Sequence, residues 1–272
     1  MKHDAAPMFD SHCHLQMPVF AGDRPAVLER ARQEGLEGAV VIGMDVPSSR
    51  QAIDLANRHE GVYATVGMHP HDASCLDAVA LQALREMARE PRVVAIGETG
   101  LDFYRNLSPP AVQQRAFREQ LALADEVGLP VVIHSRQANQ ETPVILREWA
   151  RDKPHGAAPL GVLHCFAGDA KLAEQYADLG FMLSFAGNVT YPNAGRLQAV
   201  AASVPVENLL VETDCPFLPP QDHRGRRCEP AHLRETLQFV AGLRGIDVDK
   251  LAATTTANAR RLYRLEGKAE RA

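Results

Sequence analysis

The chain has 272 residues and an ordinary globular composition, with 46% hydrophobic and 23% charged residues. This length is enough for one large core or two small ones. The formal net charge of -5 gives no general attraction to nucleic acid, so binding to a phosphate backbone requires a local basic patch.

Cysteine usage and the distribution of apolar residues bear on the compartment of the protein. The N-terminal sequence does not resemble a signal peptide, because His12 follows before an apolar segment fits. No apolar run approaches the roughly 20 residues of a membrane span. The five cysteines are odd in number and lack Cys-x-x-Cys spacing, which indicates reduced thiols. We therefore expect a cytoplasmic protein that does not bind membranes.

Eight short apolar runs predict β-strands. Most are nearly continuous in Val, Ile, Leu and Ala rather than alternating, which is typical of parallel strands covered on both faces. The predicted strands are residues 8–14, 39–43, 63–69, 93–98, 131–134, 162–164, 182–185 and 209–214. Helical patterns fill the gaps between them, at residues 25–34, 48–59, 77–89, 110–127, 141–151, 171–179, 194–204 and 230–243.

This alternation predicts a (β/α)₈ TIM barrel that forms a single domain over residues 1–272. The alternative fold is a doubly wound open sheet. The open sheet fits less well, because candidate ligands on the first and last strands must converge with those on the middle strands. A closed barrel brings its first and last strands together.

Two histidines end the first predicted strand. Alternate residues of a strand point to the same face, so the imidazoles of His12 and His14 face the same way and can hold one divalent ion. Alone, this spacing is a weak signal, because solvated surface strands also carry it. Four more potential ligands each stand at the C-terminal end of an apolar run, namely Glu98, His134, His164 and Asp214.

In a barrel these strand ends surround one mouth. Four imidazoles and two carboxylates suit Zn²⁺, Mn²⁺ or a similar ion, but they are too many for one tetrahedral site. We therefore predict two divalent metal ions, which could be Mg²⁺, Mn²⁺ or Zn²⁺. We assign His12, His14 and Asp214 to one ion and the other two histidines to the second, with Glu98 bridging them.

The chemistry of a two-ion site explains the bridge. Ions about 3.5–4 Å apart repel each other, and an anion between them offsets that repulsion. Such ions acidify a shared water and polarise the phosphoryl or carbonyl oxygen under attack. The predicted catalytic residues are Glu98, as the bridge, and Asp214, as the acceptor of the water's proton.

Further side chains are candidates for substrate contact. His69 ends the third predicted strand and should reach the mouth, where it can hydrogen-bond the scissile phosphate. Arg105 and Arg136 follow ligand-bearing strands and can bind phosphate oxygens or form ordinary surface ion pairs. Arg224 belongs to the basic stretch 223–227, which is either a local patch for a polyanion or a solvated loop.

Other residues near the strand ends carry broader expectations. Asp102 can orient a ligand imidazole or cap a turn, and His71 is expected to be a loop histidine. Three cysteines that directly follow proposed ligands are predicted to be small buried residues facing the surrounding helices, namely Cys13, Cys165 and Cys215.

The ordered motifs of the chain resemble those of the TatD family of metal-dependent deoxyribonucleases, in the amidohydrolase superfamily. The resemblance runs nearly end to end. Its motifs are Asp-Ser-His-Cys-His-Leu from Asp10, Val-Gly-Met-His-Pro-His from Val66, Ala-Ile-Gly-Glu-Thr-Gly-Leu-Asp-Phe-Tyr-Arg from Ala95, Val-Val-Ile-His-Ser-Arg from Val131, Leu-His-Cys-Phe-Ala-Gly from Leu163 and Val-Glu-Thr-Asp-Cys-Pro-Phe-Leu from Val211. Cys228 stands where the family usually has Asn before Glu-Pro.

The resemblance implies a barrel with divalent metal, the same six ligands and hydrolysis of phosphodiesters, often from a DNA 3′ end. The leading hypothesis is therefore a two-metal deoxyribonuclease of the 3′-5′ exonuclease type that acts on DNA, with single-stranded ends as its substrate. A second hypothesis is ester or amide hydrolysis by the same centre, including D-aminoacyl-tRNA cleavage, an activity associated with some relatives. A third is a metal-stabilised binding scaffold without turnover. The sequence gives no basis for predicting a protein partner.

Overall fold

Eight parallel strands follow one another around a barrel in the order in which they occur in the chain. The computed structural model describes residues 6–153 and 158–265. The strands are β1 (Met8–Cys13), β2 (Leu36–Val41), β3 (Val62–Val66), β4 (Val93–Asp102), β5 (Val131–Arg136), β6 (Gly161–Leu163), β7 (Phe181–Phe185) and β8 (Leu209–Val211). The predicted barrel is confirmed, since a doubly wound sheet has a different strand order.

Helices alternate with these strands and cover the outside of the barrel. They are α1 (Arg24–Gln33), α2 (Val46–Arg58), α3 (Ala78–Met87), α4 (Pro110–Val127), α5 (Glu141–Ala150), α6 (Ala170–Asp178), α7 (Gly195–Ser203), α8 (Leu233–Arg244) and α9 (Val248–Leu262). The first eight match the predicted segments to within a few residues, whereas α9 was not predicted. No helix within the described ranges is long and apolar enough to cross a membrane.

The seam between β8 and β1 closes the barrel at the end that carries the histidines. The backbone N–H of His14 donates to the carbonyl of Cys215 at 2.8 Å, and that of Asp214 donates to the carbonyl of His12 at 2.9 Å. The buried carboxylate of Asp10 spans the same seam, where it accepts the backbone N–H and the hydroxyl of Thr213. Burial raises the pKa of Asp10 to about 7. The two candidate ligands of β1 and the one after β8 therefore lie side by side.

Apolar side chains fill the barrel on both faces of its strands. One buried cluster lies inside the barrel and another lies between the strands and the helices. This arrangement explains why the strands are continuous apolar runs rather than alternating ones.

Helix α9 closes the N-terminal end of the barrel, opposite the mouth. Leu262 and Tyr263 join the inner cluster with Phe9 of β1, and the Tyr263 hydroxyl donates to the carbonyl of Ser11 at 2.8 Å. The amide of Asn258 donates to carbonyls at the start of β8. The barrel interior is thus sealed at this end and open only at the other.

Strand β4 is bulged beside its candidate ligand. Ile96 pairs with Val131 and Thr99 with Ile133, so three steps along β4 match two along β5. Gly97 has a φ of 149°, and a Cβ there would lie 2.6 Å from the carbonyl oxygen of Val132. Glu98 is therefore held in the middle of a long bulged strand, not at the strand end predicted from the apolar run.

Candidate metal centre

The six side chains predicted as metal ligands converge at the mouth of the barrel. The mouth holds a cavity of about 650 Å³, and five of the six line it, namely His14, Glu98, His134, His164 and Asp214. The sixth, His12, lies beside them and is only 1% exposed. Parallel strands bring their C-terminal ends to one rim, which is why residues so distant in sequence meet here.

One group of donor atoms surrounds a single point. His12 Nε2 and His14 Nε2 are 3.2 Å apart, and Asp214 Oδ1 lies 3.6 Å and 3.3 Å from them. Glu98 Oε2 completes the group at 3.6 Å from His12 and 3.8 Å from His14. Donors bound tetrahedrally to Zn²⁺ are separated by roughly 3.4 Å, so this spacing suits one ion.

The other oxygen of Glu98 faces a second group. Its Oε1 lies 2.9 Å from His134 Nδ1 and 2.8 Å from His164 Nε2, and these two nitrogens are 3.2 Å apart. His69 Nε2 is 3.4 Å from the same oxygen. Glu98 thus stands between two groups of imidazoles, with one oxygen directed at each.

The two groups adjoin. The imidazole of His12 stacks on that of His164 with ring centroids 3.9 Å apart. Donor atoms of these two residues and of Asp214 also lie within 4.8 Å of one another. Ions in the two groups would therefore be close neighbours.

The charge state of the cluster favours a bound cation. Burial acts to raise the pKa of Glu98, but the imidazoles of His164, His69 and His134 hold it well below its usual value. Burial and the neighbouring His164 lower the pKa of His12 well below its usual value, so this imidazole is neutral. Against the effect of burial, the neighbouring carboxylates raise the pKa of His14, His134 and His164, so the cluster as a whole attracts positive charge, either as protons on these imidazoles or as a cation.

The donor chemistry of these residues fits a divalent metal. Among the residues that the structure describes, the carboxylates of Glu98 and Asp214 form ion pairs with histidines alone. No fixed positive charge from lysine or arginine therefore offsets them. Imidazole nitrogens and carboxylate oxygens at these spacings are the ligands that Zn²⁺ and Mn²⁺ take in proteins.

Carboxylates behind the cluster orient two of its imidazoles. Glu212 Oε1 lies 3.4 Å from His164 Nδ1 and accepts the backbone N–H of Cys165 at 2.7 Å. Asp102 Oδ2 lies 3.2 Å from His134 Nε2. Asp102 also caps the turn after β4, because its Oδ1 accepts the backbone N–H of Arg105 at 2.8 Å. Asp102 therefore fills both roles that the sequence left open.

Left-handed backbone conformations occur directly after the ligand-bearing strands. Asp214 has a φ of 52°, Cys165 of 43° and Gln137 of 53°. Such conformations cost about 1–3 kcal/mol each in residues other than glycine and are concentrated at functional sites. The chain turns sharply at these points, which sets the direction of the Asp214 carboxylate.

Three of the four predicted substrate contacts line the cavity. His69 is 7% exposed, and Arg105 and Arg136 stand at the rim. The guanidinium carbon of Arg136 lies 4.0 Å from the centroid of the exposed Tyr104 ring. The positions of these three side chains agree with a role in substrate binding, which stays a prediction.

The fourth predicted contact, Arg224, lies outside this cavity. Its guanidinium carbon is 4.7 Å from the centroid of the Tyr191 ring, which lines a neighbouring groove. Within the same basic stretch, Arg227 donates to Asp23 and to Glu229 at 2.7 Å each. The stretch 223–227 is therefore not a uniform patch, since these carboxylates neutralise Arg227.

Two expectations from the sequence need correction. Cys165 is half-buried and lines the cavity rather than facing the surrounding helices, because its left-handed backbone interrupts strand alternation. His71 is not a simple loop histidine, because it lines the cavity and its Nε2 lies 2.8 Å from Asp102 Oδ2. Cys13 and Cys215 are buried in the outer cluster, as predicted.

Sequence reasoning missed two residues of the site. Glu212 is fully buried within the last apolar run, and the cost of an unpaired buried carboxylate was a signal that it had a partner. Phe217 is 47% exposed at the mouth, with its ring centroid 6.0 Å from that of His14. Nothing in the sequence distinguishes Phe217 from a packing residue.

A parallel eight-stranded barrel with histidines and carboxylates clustered at its C-terminal mouth defines the class of metal-dependent barrel hydrolases. The family model described as TatD related DNase matches residues 9–264 of the chain. The chain belongs to this TatD family, and it is a metal-dependent hydrolase.

Individual relatives match the chain over nearly its whole length. It is 39% identical to the uncharacterized metal-dependent hydrolase YabD of Bacillus subtilis, over 95% of this chain and 99% of that protein. It is 40% identical to the 3′-5′ ssDNA/RNA exonuclease TatD of Klebsiella pneumoniae, over 95% and 98%. Among solved structures, the TatD homolog YjjV of Escherichia coli superposes with a TM-score of 0.88 at 31% identity, over 94% and 98%.

Proposed function

We propose that this protein is a two-metal phosphodiesterase that removes nucleotides from single-stranded DNA ends in the 3′ to 5′ direction. The observation that carries the proposal is the position of Glu98, whose two oxygens face two different groups of imidazoles. A carboxylate in this position can bridge two ions, as two-metal phosphodiester hydrolysis requires. The substrate and the direction are supported by the name of relatives such as the exonuclease of Klebsiella pneumoniae.

The ligands divide between two ions in this proposal. His12, His14 and Asp214 would hold one ion, and Glu98 would offer an oxygen to each of the two. His134 and His164 would hold the other, since their Nδ1 and Nε2 respectively face Glu98. When bound, the ions would acidify a shared water and offset the charge that develops on the phosphoryl oxygens.

The side chains of the mouth supply the remaining steps. Asp214 borders the cavity and accepts the proton of the attacking water. His69, beside Glu98, donates a hydrogen bond to an oxygen of the scissile phosphate. Arg105 and Arg136 at the rim bind phosphates that are not cleaved, which positions the strand.

The depth of the cluster supports an action on strand ends. Glu98 is 2% exposed and His12 is 1% exposed, so a phosphate must descend into the cavity to reach them. A single-stranded end can do so without unstacking a duplex, whereas an internal phosphate of a duplex cannot.

The bridge gives the first test of the proposal. Glu98→Gln should lower turnover of a short single-stranded DNA by at least about a hundredfold, because the lost charge removes several kcal/mol of stabilisation. The variant should also bind one ion instead of two, measured by metal analysis of the purified protein. Glu148→Gln is the matched control, since Glu148 is exposed and, among the described residues, forms an ion pair only with the exposed Arg118. Two tightly bound ions and a normal rate in Glu98→Gln would contradict the bridging role.

The form of the substrate gives the second test. We expect stepwise degradation of linear single strands and resistance of covalently closed circles, because a circle has no end to insert. End-labelled strands, circles and D-aminoacyl-tRNA are incubated with the protein in Mg²⁺, Mn²⁺ or Zn²⁺. Circles cut as fast as linear strands would indicate an endonuclease instead. Cleavage of D-aminoacyl-tRNA without DNA hydrolysis would replace the phosphodiesterase proposal altogether.

A further inference from the structure

We propose that the groove lined by the segments after β6, β7 and β8 binds the nucleotides on the retained side of the scissile phosphodiester. This inference rests on the proposed function and assigns the path of the strand beyond the metal centre. The groove has a volume of about 350 Å³. It is continuous with the mouth, since Ala167, Asn188 and Leu218 line both.

Charge distinguishes this groove from the one on the opposite side of the mouth. That other groove shares Asp45 and Asp72 with the mouth and also contains Asp77, against a single arginine, Arg50. Three carboxylates repel a polyanion. The proposed groove has no acidic residue among the side chains that line it, and Arg196 forms part of its wall. A nucleic acid strand that leaves the metal centre therefore meets repulsion on one side and attraction on the other.

Arg224 is placed to contact this strand. Its guanidinium lies over the Tyr191 ring, whose hydroxyl is anchored to the carbonyl of Pro219 at 2.9 Å. A guanidinium that stacks on a ring uses its face and leaves its N–H edge free for a phosphate. Among the described residues, Arg224 and Arg196 form no ion pair with a carboxylate, in contrast to Arg227.

The junction between groove and mouth also offers groups for a base. Asn188 Oδ1 is buried without a hydrogen-bond partner in the described structure, although its amide nitrogen contacts Cys165 Sγ at 3.8 Å. An unpaired buried acceptor is costly unless a ligand donates to it, and the exocyclic amino group of a base is such a donor. The exposed ring of Phe217, next to Leu218, adds an apolar surface for stacking.

The test removes one positive charge from the protein, one negative charge from the nucleic acid strand, or both. Oligodeoxycytidylates, whose bases carry an exocyclic amino group, contain one neutral methylphosphonate linkage, placed in turn at each position on the retained side of the terminal bond. In the wild type, one or two of these substitutions should raise KM about tenfold, the effect of losing one charge-assisted hydrogen bond. In Arg224→Ala or Arg196→Ala, KM for the unmodified strand should rise about tenfold, and the corresponding methylphosphonate should have no further effect.

Salt dependence supplies a second readout. Each lost phosphate contact should reduce the slope of log KM against log salt concentration by roughly 0.7 for a single strand. Arg226→Ala is the matched control, because Arg226 is exposed in the same loop, whereas Arg224 lies over the Tyr191 ring that lines the groove. It removes the same charge and should leave KM and the slope unchanged.

The outcomes separate this inference from the function on which it rests. If the wild type hydrolyses the strands but a methylphosphonate slows wild type and variants equally, the strand does not follow this groove and the inference is wrong. An equal rise in KM in Arg224→Ala and Arg226→Ala would also overturn it, because the rise would then reflect only the lower positive charge of the protein. If the wild type hydrolyses no oligonucleotide, the proposed function itself fails.

Discussion

The orientation of the ligand imidazoles depends on the carboxylates behind them. Asp102 Oδ2 lies 3.2 Å from His134 Nε2, while His134 Nδ1 faces Glu98. An ionised carboxylate accepts a hydrogen bond from the protonated Nε2 and so favours the tautomer in which Nδ1 carries no proton and can bind a metal. Burial acts to raise the pKa of Asp102, but hydrogen bonds from His134, the backbone of Arg105 and His71 hold it below its usual value.

This arrangement predicts the effect of Asp102→Asn. The amide oxygen of asparagine should keep the backbone N–H of Arg105, which leaves the amide NH2 facing His134 Nε2. That group cannot accept a hydrogen bond from Nε2–H, so the tautomer that protonates Nδ1 becomes favourable. Metal affinity should fall by about 10–100-fold, as for other outer-shell carboxylates. Competition with a chromogenic chelator measures this affinity directly. Asp169→Asn is the control, because Asp169 caps the exposed start of α6 and asparagine is an equally good cap. Equal affinities in the two variants would mean that Asp102 only caps its turn.

The six proposed ligands could be predicted because each ends or interrupts an apolar run, where a histidine or carboxylate is conspicuous. The partners of these ligands could not be predicted, because they depend on contacts between strands. Glu212 directly follows β8, and its carboxylate contacts His164 Nδ1 and the backbone N–H of Cys165, both of which follow β6. The left-handed backbone conformation of Asp214 could not be predicted either, because glycine is the residue that usually indicates such a conformation in a sequence.

At the scale of elements, the strand order could be predicted and the strand ends could not. The apolar run of β4 stops at Glu98, but the strand continues to Asp102 because the bulge at Gly97 keeps its pairing with β5. Helix α9 was missed because its central sequence Ala-Ala-Thr-Thr-Thr-Ala-Asn-Ala contains three successive threonines and an asparagine, which have a low helix preference. Packing across the barrel end stabilises α9.

The position of α9 predicts that it contributes to stability rather than to catalysis. Leu262→Ala should lower the free energy of unfolding by about 2–5 kcal/mol, because Leu262 is fully buried in the inner cluster. Turnover of the folded protein should change little, since the mouth is at the opposite end of the barrel. Denaturant unfolding and kinetics on the same sample test both points. Lys250→Ala, on the exposed face of α9, should change stability by less than about 0.5 kcal/mol. A large loss of turnover with unchanged stability would contradict this division of roles.

For the whole molecule, the candidate centre is a product of barrel closure. Its proposed ligands come from β1 and the residue directly after it, from β4 and β5, and from the segments after β6 and β8, so no local unit of the chain can form it. The seam between β1 and β8, with Asp10 across it, places His12 next to Asp214. A metal that binds only this closed arrangement must stabilise the entire fold against unfolding.

Removal of metal should therefore lower the global stability of the protein. An ion present at about 100 times its Kd contributes about 2.7 kcal/mol to the free energy of unfolding. For a chain of this size, such a loss lowers the midpoint of thermal unfolding by roughly 5–10 °C. Circular dichroism on protein treated with EDTA and dialysed, with Mn²⁺ or Zn²⁺ then restored, measures the shift and its reversal. Glu98→Gln should show a smaller shift, because it holds the second ion weakly. A midpoint that is the same with and without metal would mean that the six side chains hold no ion tightly in the folded protein.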